Sequence, residues 1–88
     1  MNSEKEQALK TLKIAKGQIE ATIKMLEEGR YCVDVSNQII ATQSLLKKAN
    51  LLILKQHMNH CVMEAFQHDQ GSEKIDEVID LLSKVMGK

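Results

Sequence analysis

From Val35 to Phe66 the chain runs without a single glycine or proline. Nothing in that stretch stops a helix. As one helix it would be nearly 50 Å long, at about 1.5 Å of rise per residue. That is longer than the rest of a chain of 88 residues can cover. Within it, Leu51-Leu52-Ile53-Leu54 is apolar on every side of the helix, because consecutive residues point in different directions around the axis. One antiparallel neighbour cannot bury all four. The stretch therefore predicts a long central helix and pairing of helices between chains.

The remaining sequence supplies two more helices. Ser3 followed by Glu6 reads as a capping box. Leu9, Leu12, Ala15, Ile19, Ile23 and Leu26 then recur every three or four residues, an apolar stripe on a helix from about Ser3 to Glu28. The opposite face carries Lys10, Lys13, Gly17, Ala21 and Lys24. Gly29 fits the left-handed position that ends a helix. Arg30-Tyr31-Cys32 reads as a short connection, with Asp34 or a neighbour capping the central helix. The polar run Gln67-His68-Asp69-Gln70-Gly71 reads as a loop. A third helix starts at Ser72-Glu73, with Ile75, Val78, Ile79, Leu82, Val85 and Met86 on one face. The expected fold is all-α: three helices, the middle one long, in a single domain over residues 1–88. The absence of proline and tryptophan, with one tyrosine and one phenylalanine, argues against a sandwich or barrel. So short a chain builds only a marginal core, so a homo-oligomer is expected.

Charge and targeting narrow the function classes. Twelve basic and twelve acidic residues cancel, so any binding of nucleic acid depends on how the lysines are distributed. The start has no apolar leader, and no stretch reaches the length of a membrane span. The cytoplasm is the expected compartment, and there two cysteines stay reduced.

The chemistry concentrates at Gln56-His57-Met58-Asn59-His60-Cys61. In a helix, His57 and Cys61 lie one turn apart on one face, where an imidazole and a thiol can share a metal ion. Cys32 is the one other thiol. Two thiolates and an imidazole form a soft donor set that leans toward Cu(I). Zn²⁺ completed by His60, the N-terminus or water is the other metal reading, since structural zinc takes four ligands. The plain alternative is that both cysteines are small buried apolar residues. Cys32 and His57 are some 35 Å apart along an intact helix, at about 1.5 Å per residue. One chain cannot close that gap, but two central helices paired antiparallel bring Cys32 of one chain to His57 and Cys61 of the other. His68 falls in the polar loop. Met25, Met58, Met63 and Met86 read as core filler, and Tyr31 as a packing residue with a hydrogen-bonded tip. No nucleophile–base–orienter order and no glycine-rich phosphate loop is present, so the chain does not read as an enzyme.

Gly17-Gln18, Tyr31-Cys32-Val33-Asp34-Val35, Gln38-Ile39, Gln43 and His57-Met58-Asn59-His60-Cys61-Val62 together resemble the copper-sensing operon repressor (CsoR) family, over about Glu6 to Val85. The resemblance implies antiparallel dimers that pair into flat tetramers. These bind operator DNA without a helix-turn-helix and release it on sensing their inducer. Cys32, His57 and Cys61 match the Cu(I) ligands of the copper-sensing branch. Tyr31 and Glu77 match positions that link bound metal to DNA affinity, and Glu77 would orient the His57 ring through its non-ligating nitrogen. The implied function is a Cu(I)-responsive repressor. The alternative is a copper-binding or thiol- or persulfide-sensing relative without operator recognition. Thr11, Ile14 and Glu20 stand where the family commonly has basic residues, and Ala21 replaces a later glycine. The DNA face implied here therefore rests on lysines: Lys10, Lys13 and Lys24 from the first helix, Lys47 and Lys48 from the second.

Overall fold

The computed structural model describes residues 2–62, 64, 67 and 71–87, and of Cys61 and Val62 the backbone only. Three α-helices follow in order: α1 (Ser3–Glu27), α2 (Cys32–His57) and α3 (Gly71–Val85), with a π-helical turn, Met58–Val62, continuing α2. Among the described residues there is no strand. Phe66, His68 and most of the expected 67–71 loop lie outside the described residues.

The helix ends follow local hydrogen-bond needs. At the start of α1 the cap is Asn2, one residue earlier than the expected Ser3: its Oδ1 accepts from the Lys5 N–H at 2.9 Å. Ser3 instead accepts from Gln7 Nε2 at 3.1 Å. At the other end Gly29 has φ +70°, as expected. Its N–H donates to the Leu26 carbonyl, and the Arg30 N–H donates to Met25, which satisfies carbonyls the helix leaves open. Of the connection read at residues 30–32, Arg30 and Tyr31 lie between the helices, and only Cys32 is corrected. α2 begins at Cys32, with Tyr31 as a cap that makes no side-chain hydrogen bond. Its first turn is closed by the Val35 N–H on the Tyr31 carbonyl at 3.1 Å. α3 likewise starts one residue early, at Gly71, which is buried.

α1 and α2 form an antiparallel hairpin joined by four residues. Its seam reads in heptads of small residues. In α1, Ala8, Thr11, Ala15 and Thr22 are buried, with Gln18 and Met25 half-buried; in α2, Val35, Thr42 and Ala49 are buried, with Gln38, Leu45 and Leu52 half-buried. The alternating steps of three and four keep one narrow face of each helix turned to the other. The three threonine hydroxyls donate to the carbonyl four residues back, on Gln7, Gln18 and Gln38. Thr42 also lies 3.2 Å from Gln18 Oε1, so its one proton is shared between its own helix and its neighbour.

This seam overturns the expected packing of α1. Of the stripe Leu9, Leu12, Ala15, Ile19, Ile23 and Leu26, only Ala15 is buried; the five large residues are 42–63% exposed. They lie beside the seam, on a flat side of the hairpin, together with Ile39, Leu46 and Ile53 of α2. Ile19, Ile23, Leu26, Ile39 and Leu46 line one apolar groove of about 260 Å³ with Thr22, Thr42 and Gln43. The chain measures 56 × 30 × 12 Å. Its radius of gyration is 17.0 Å, where a compact fold of this length has about 12 Å. Its accessible surface is 6553 Å², against about 5,200 Å² for a globular monomer of the same mass. Among the described residues, α3 packs on α2 and the π turn and not on α1. No helix among the described residues is long and apolar enough to cross a membrane.

Candidate metal centre

Cys32 is the first residue of α2 and His57 the last. The 25 steps between them are almost seven whole turns, at 3.6 residues per turn. Both side chains therefore leave α2 in nearly the same direction from its two ends. Ile39, Leu46 and Ile53 lie in the same column, at seven-residue steps from Cys32. The thiol of Cys32 is free and exposed. Because α2 is continuous, it holds the thiol and the imidazole some 35 Å apart, at about 1.5 Å per residue. Among the described residues, no three His, Cys, Asp or Glu side chains of one chain gather closely enough to hold a metal.

The helix changes character at the motif itself. His57 ends the α-helical ladder, and Met58–Val62 form a π turn. Its hydrogen bonds reach one residue further, which widens the turn. Cys61 thus follows His57 across a junction rather than at plain α-helical spacing, and its side chain lies outside the described residues. The expectation of an unbroken α-helix to about Phe66 is corrected here. A π turn is a common local solution where side chains must be re-aimed at a functional site.

His57 faces Glu77 of α3. Its ring is largely covered, and Nε2 is buried without a hydrogen-bond partner among the described residues. Glu77 Oε1 lies 3.8 Å away, close enough for electrostatic contact and too far for a hydrogen bond. Glu77 Oε2 is 3.4 Å from Lys74 Nζ. Nε2 thus faces a carboxylate, and Nδ1 is the nitrogen that Glu77 leaves free to ligate, the usual division of labour for a metal-binding histidine. Two thiols and one such imidazole fit a soft monovalent ion.

The other candidates fall where exposure puts them. Tyr31 is 68% exposed at the start of α2, so within one chain it is not the packed residue its sequence suggests. His60 is exposed, with Nε2 3.9 Å from Glu64 Oε2. Lys10, Lys13, Lys24, Lys47 and Lys48 are all exposed. Lys24 reaches Glu28 at 3.8 Å. Lys47 and Lys48 flank a shallow groove floored by Leu51 and Leu52, with Lys55 at its far end. Thr11 is buried in the hairpin seam, so its lack of charge takes nothing from the outer surface. Lys74 was not visible as a participant from sequence; its place three residues before Glu77 is the one signal that pointed to it.

Comparison with known proteins agrees along the whole chain. The sequence pattern of the metal-sensitive transcriptional repressor family matches residues 4–84. The copper-sensing transcriptional repressor CsoR of Mycobacterium ulcerans is 41% identical over 80 residues, 91% of this chain and 68% of that one. The CsoR of Bacillus subtilis is 37% identical over 83 residues, 94% of this chain and 82% of that one. The crystal structure of the copper-sensing repressor CsoR with Cu(I) from Geobacillus thermodenitrificans superposes with a TM-score of 0.84 at 34% identity, covering 100% of this chain and 91% of that one.

Proposed function

The chain belongs to the metal-sensitive transcriptional repressor family, and we propose that it is its cell's Cu(I)-responsive repressor, working in the cytoplasm. It binds operator DNA in the apo form and releases it when Cu(I) binds. One observation carries this reading beyond the family: Cys32 and His57 leave opposite ends of α2 on the face that also bears its exposed column of Ile39, Leu46 and Ile53. Two such faces laid together antiparallel cover the apolar residues and bring each Cys32 to the partner's His57 and Cys61. Similarity to the named CsoR proteins, one of them a Cu(I) complex, supports copper as the ion.

Cys32 of one protomer and His57 and Cys61 of the partner would hold Cu(I), which would supply a soft centre for thiolate and imidazole donors. The chain's own residues do the rest. Cys32 and Cys61 lose their protons. His57 offers Nδ1 and turns Nε2 toward Glu77. Glu77 is on α3, so any shift of the ring is felt by a second helix. Lys10, Lys13, Lys24, Lys47 and Lys48 neutralise phosphates from outer helical faces. They do not overlap the metal ligands, so copper acts through the assembly rather than by blocking DNA. Two antiparallel dimers pairing into a tetramer would extend this basic surface. The test is a titration of the apo-protein onto the promoter of its own operon, with and without Cu(I). Tight binding weakened by Cu(I) supports the reading; equal binding in both states overturns it.

A further inference from the structure

The face of α2 that carries the metal ligands at its ends is not uniformly apolar. A second column runs beside Cys32, Ile39, Leu46 and Ile53: Ser36, Gln43, Asn50 and His57, again at steps of seven. Gln43 lines the apolar groove between Ile39 and Leu46. In the single chain Gln43 and Asn50 are both exposed. Once a second α2 lies on this face, their amides leave water and must find partners.

The metal site fixes where they go. This step rests on the reading that one protomer's Cys32 meets the partner's His57 and Cys61. With two antiparallel helices in that register, Leu46 falls next to the two-fold axis, beside the partner's Leu46. Gln43 then falls between the partner's Leu46 and Asn50, and by symmetry each Asn50 lies beside the partner's Gln43. The partner's Asn50 is within reach of each glutamine, and pairing the two leaves neither amide stranded, whereas a pair of glutamines across the axis would strand both asparagines. The neighbouring column of Ile39, Leu46 and Ile53 is aliphatic and repeats at equal steps, so by itself it would slide by a heptad at little cost. A slip of seven residues moves Cys32 a full 10 Å or so from its ligand partners, at about 1.5 Å per residue.

We propose that Gln43 and Asn50 form a pair of symmetry-related interchain hydrogen bonds that lock the antiparallel register and so set Cys32 against the partner's His57 and Cys61. A polar residue buried among apolar ones at a helix seam is a known way to specify alignment rather than strength. These two residues do not touch the metal; they act by positioning the chains that hold it.

The test separates alignment from association. Gln43→Leu or Asn50→Leu alone strands one amide in each half of the interface, so each single change should weaken dimerisation by roughly tenfold or more. Gln43→Leu with Asn50→Leu removes both partners and should restore dimerisation to wild-type strength or better, measured by sedimentation. Cu(I) affinity should stay low in that double variant, because the register is no longer fixed. Register is read directly by placing Leu46→Cys in a Cys32→Ser, Cys61→Ser background. With native Gln43 and Asn50, mild oxidation should link this position to its own copy nearly completely, and with both changed to leucine the yield should fall severalfold. Equal linkage in the two backgrounds would overturn the register lock while leaving the antiparallel site intact. No linkage in either would overturn the antiparallel pairing itself, and the lock with it.

Discussion

Nε2 of His57 and Oε1 of Glu77 face each other across 3.8 Å, roughly 1 Å beyond a charge-assisted hydrogen bond. A buried ring nitrogen without a partner costs about 1–3 kcal/mol. The cost is relieved if α3 closes on the end of α2, and His57, the proposed ligand, is the residue through which that closure would be felt. The other oxygen of Glu77 rests against Lys74 on its own helix, so the carboxylate is aimed before any metal arrives.

Glu77→Ala should therefore leave Cu(I) bound and shrink its effect on DNA. Couplings of this kind are about 1–3 kcal/mol, so the wild type should lose roughly five- to 150-fold in operator affinity with Cu(I). In the variant that ratio should fall toward one. Fluorescence anisotropy of labelled operator with and without Cu(I) measures it, and an undiminished ratio would remove Glu77 from the link.

The metal site should be shared between protomers. Cys32→Ala and Cys61→Ala homodimers should each lose tight Cu(I) binding, while His57→Ala should retain weaker binding through two thiolates. Mixing the Cys32→Ala and Cys61→Ala chains should restore one complete site per mixed dimer. Competition with a Cu(I) chelator reads this out. No recovery on mixing would place the ligands within one chain. Affinity should rise with pH until both thiols are ionised, since binding releases their protons.

Lys48→Ala should weaken binding to all DNA sequences alike. Loss of one phosphate contact should flatten the slope of log affinity against log salt by about 0.9. A loss confined to the operator would instead make Lys48 a reader of bases.

Ala15→Leu should destabilise the hairpin, because Ala15 is 1% exposed in a seam built for small side chains. Overpacking of this kind costs about 1–3 kcal/mol. For a domain of this size that is a fall in melting temperature of some 4–8 °C per kcal/mol. The reverse logic applies at Leu12, 43% exposed in the chain: Leu12→Ala should cost the isolated hairpin little and the dimer more.

The helices were legible in the sequence, and the seam was not. Gly29 and the glycine-free run after it fixed where two long helices lie. The large aliphatics of α1 then drew the eye to Leu9, Leu12, Ile19, Ile23 and Leu26 as the core, because size reads as burial. The core instead follows Ala8, Thr11, Ala15 and Thr22, whose heptad spacing was present but chemically quiet. The candidate trio of Cys32, His57 and Cys61 could be named from sequence because few residue types bind soft metals. The π turn after His57 was not, since no residue in Met58–Val62 announces an extra-wide turn. The closeness of Glu77 to His57 was available only through family resemblance. Residues 20 apart on different helices leave no mark in spacing.

The thinness of the chain, 12 Å in its shortest dimension, has a thermodynamic consequence. With many of its large apolar side chains turned outward, folding and association become one equilibrium governed by mass action. The melting temperature should then climb as protein concentration climbs, as for an obligate dimer. A cell that dilutes this protein lowers its stability and its occupancy of DNA in the same step.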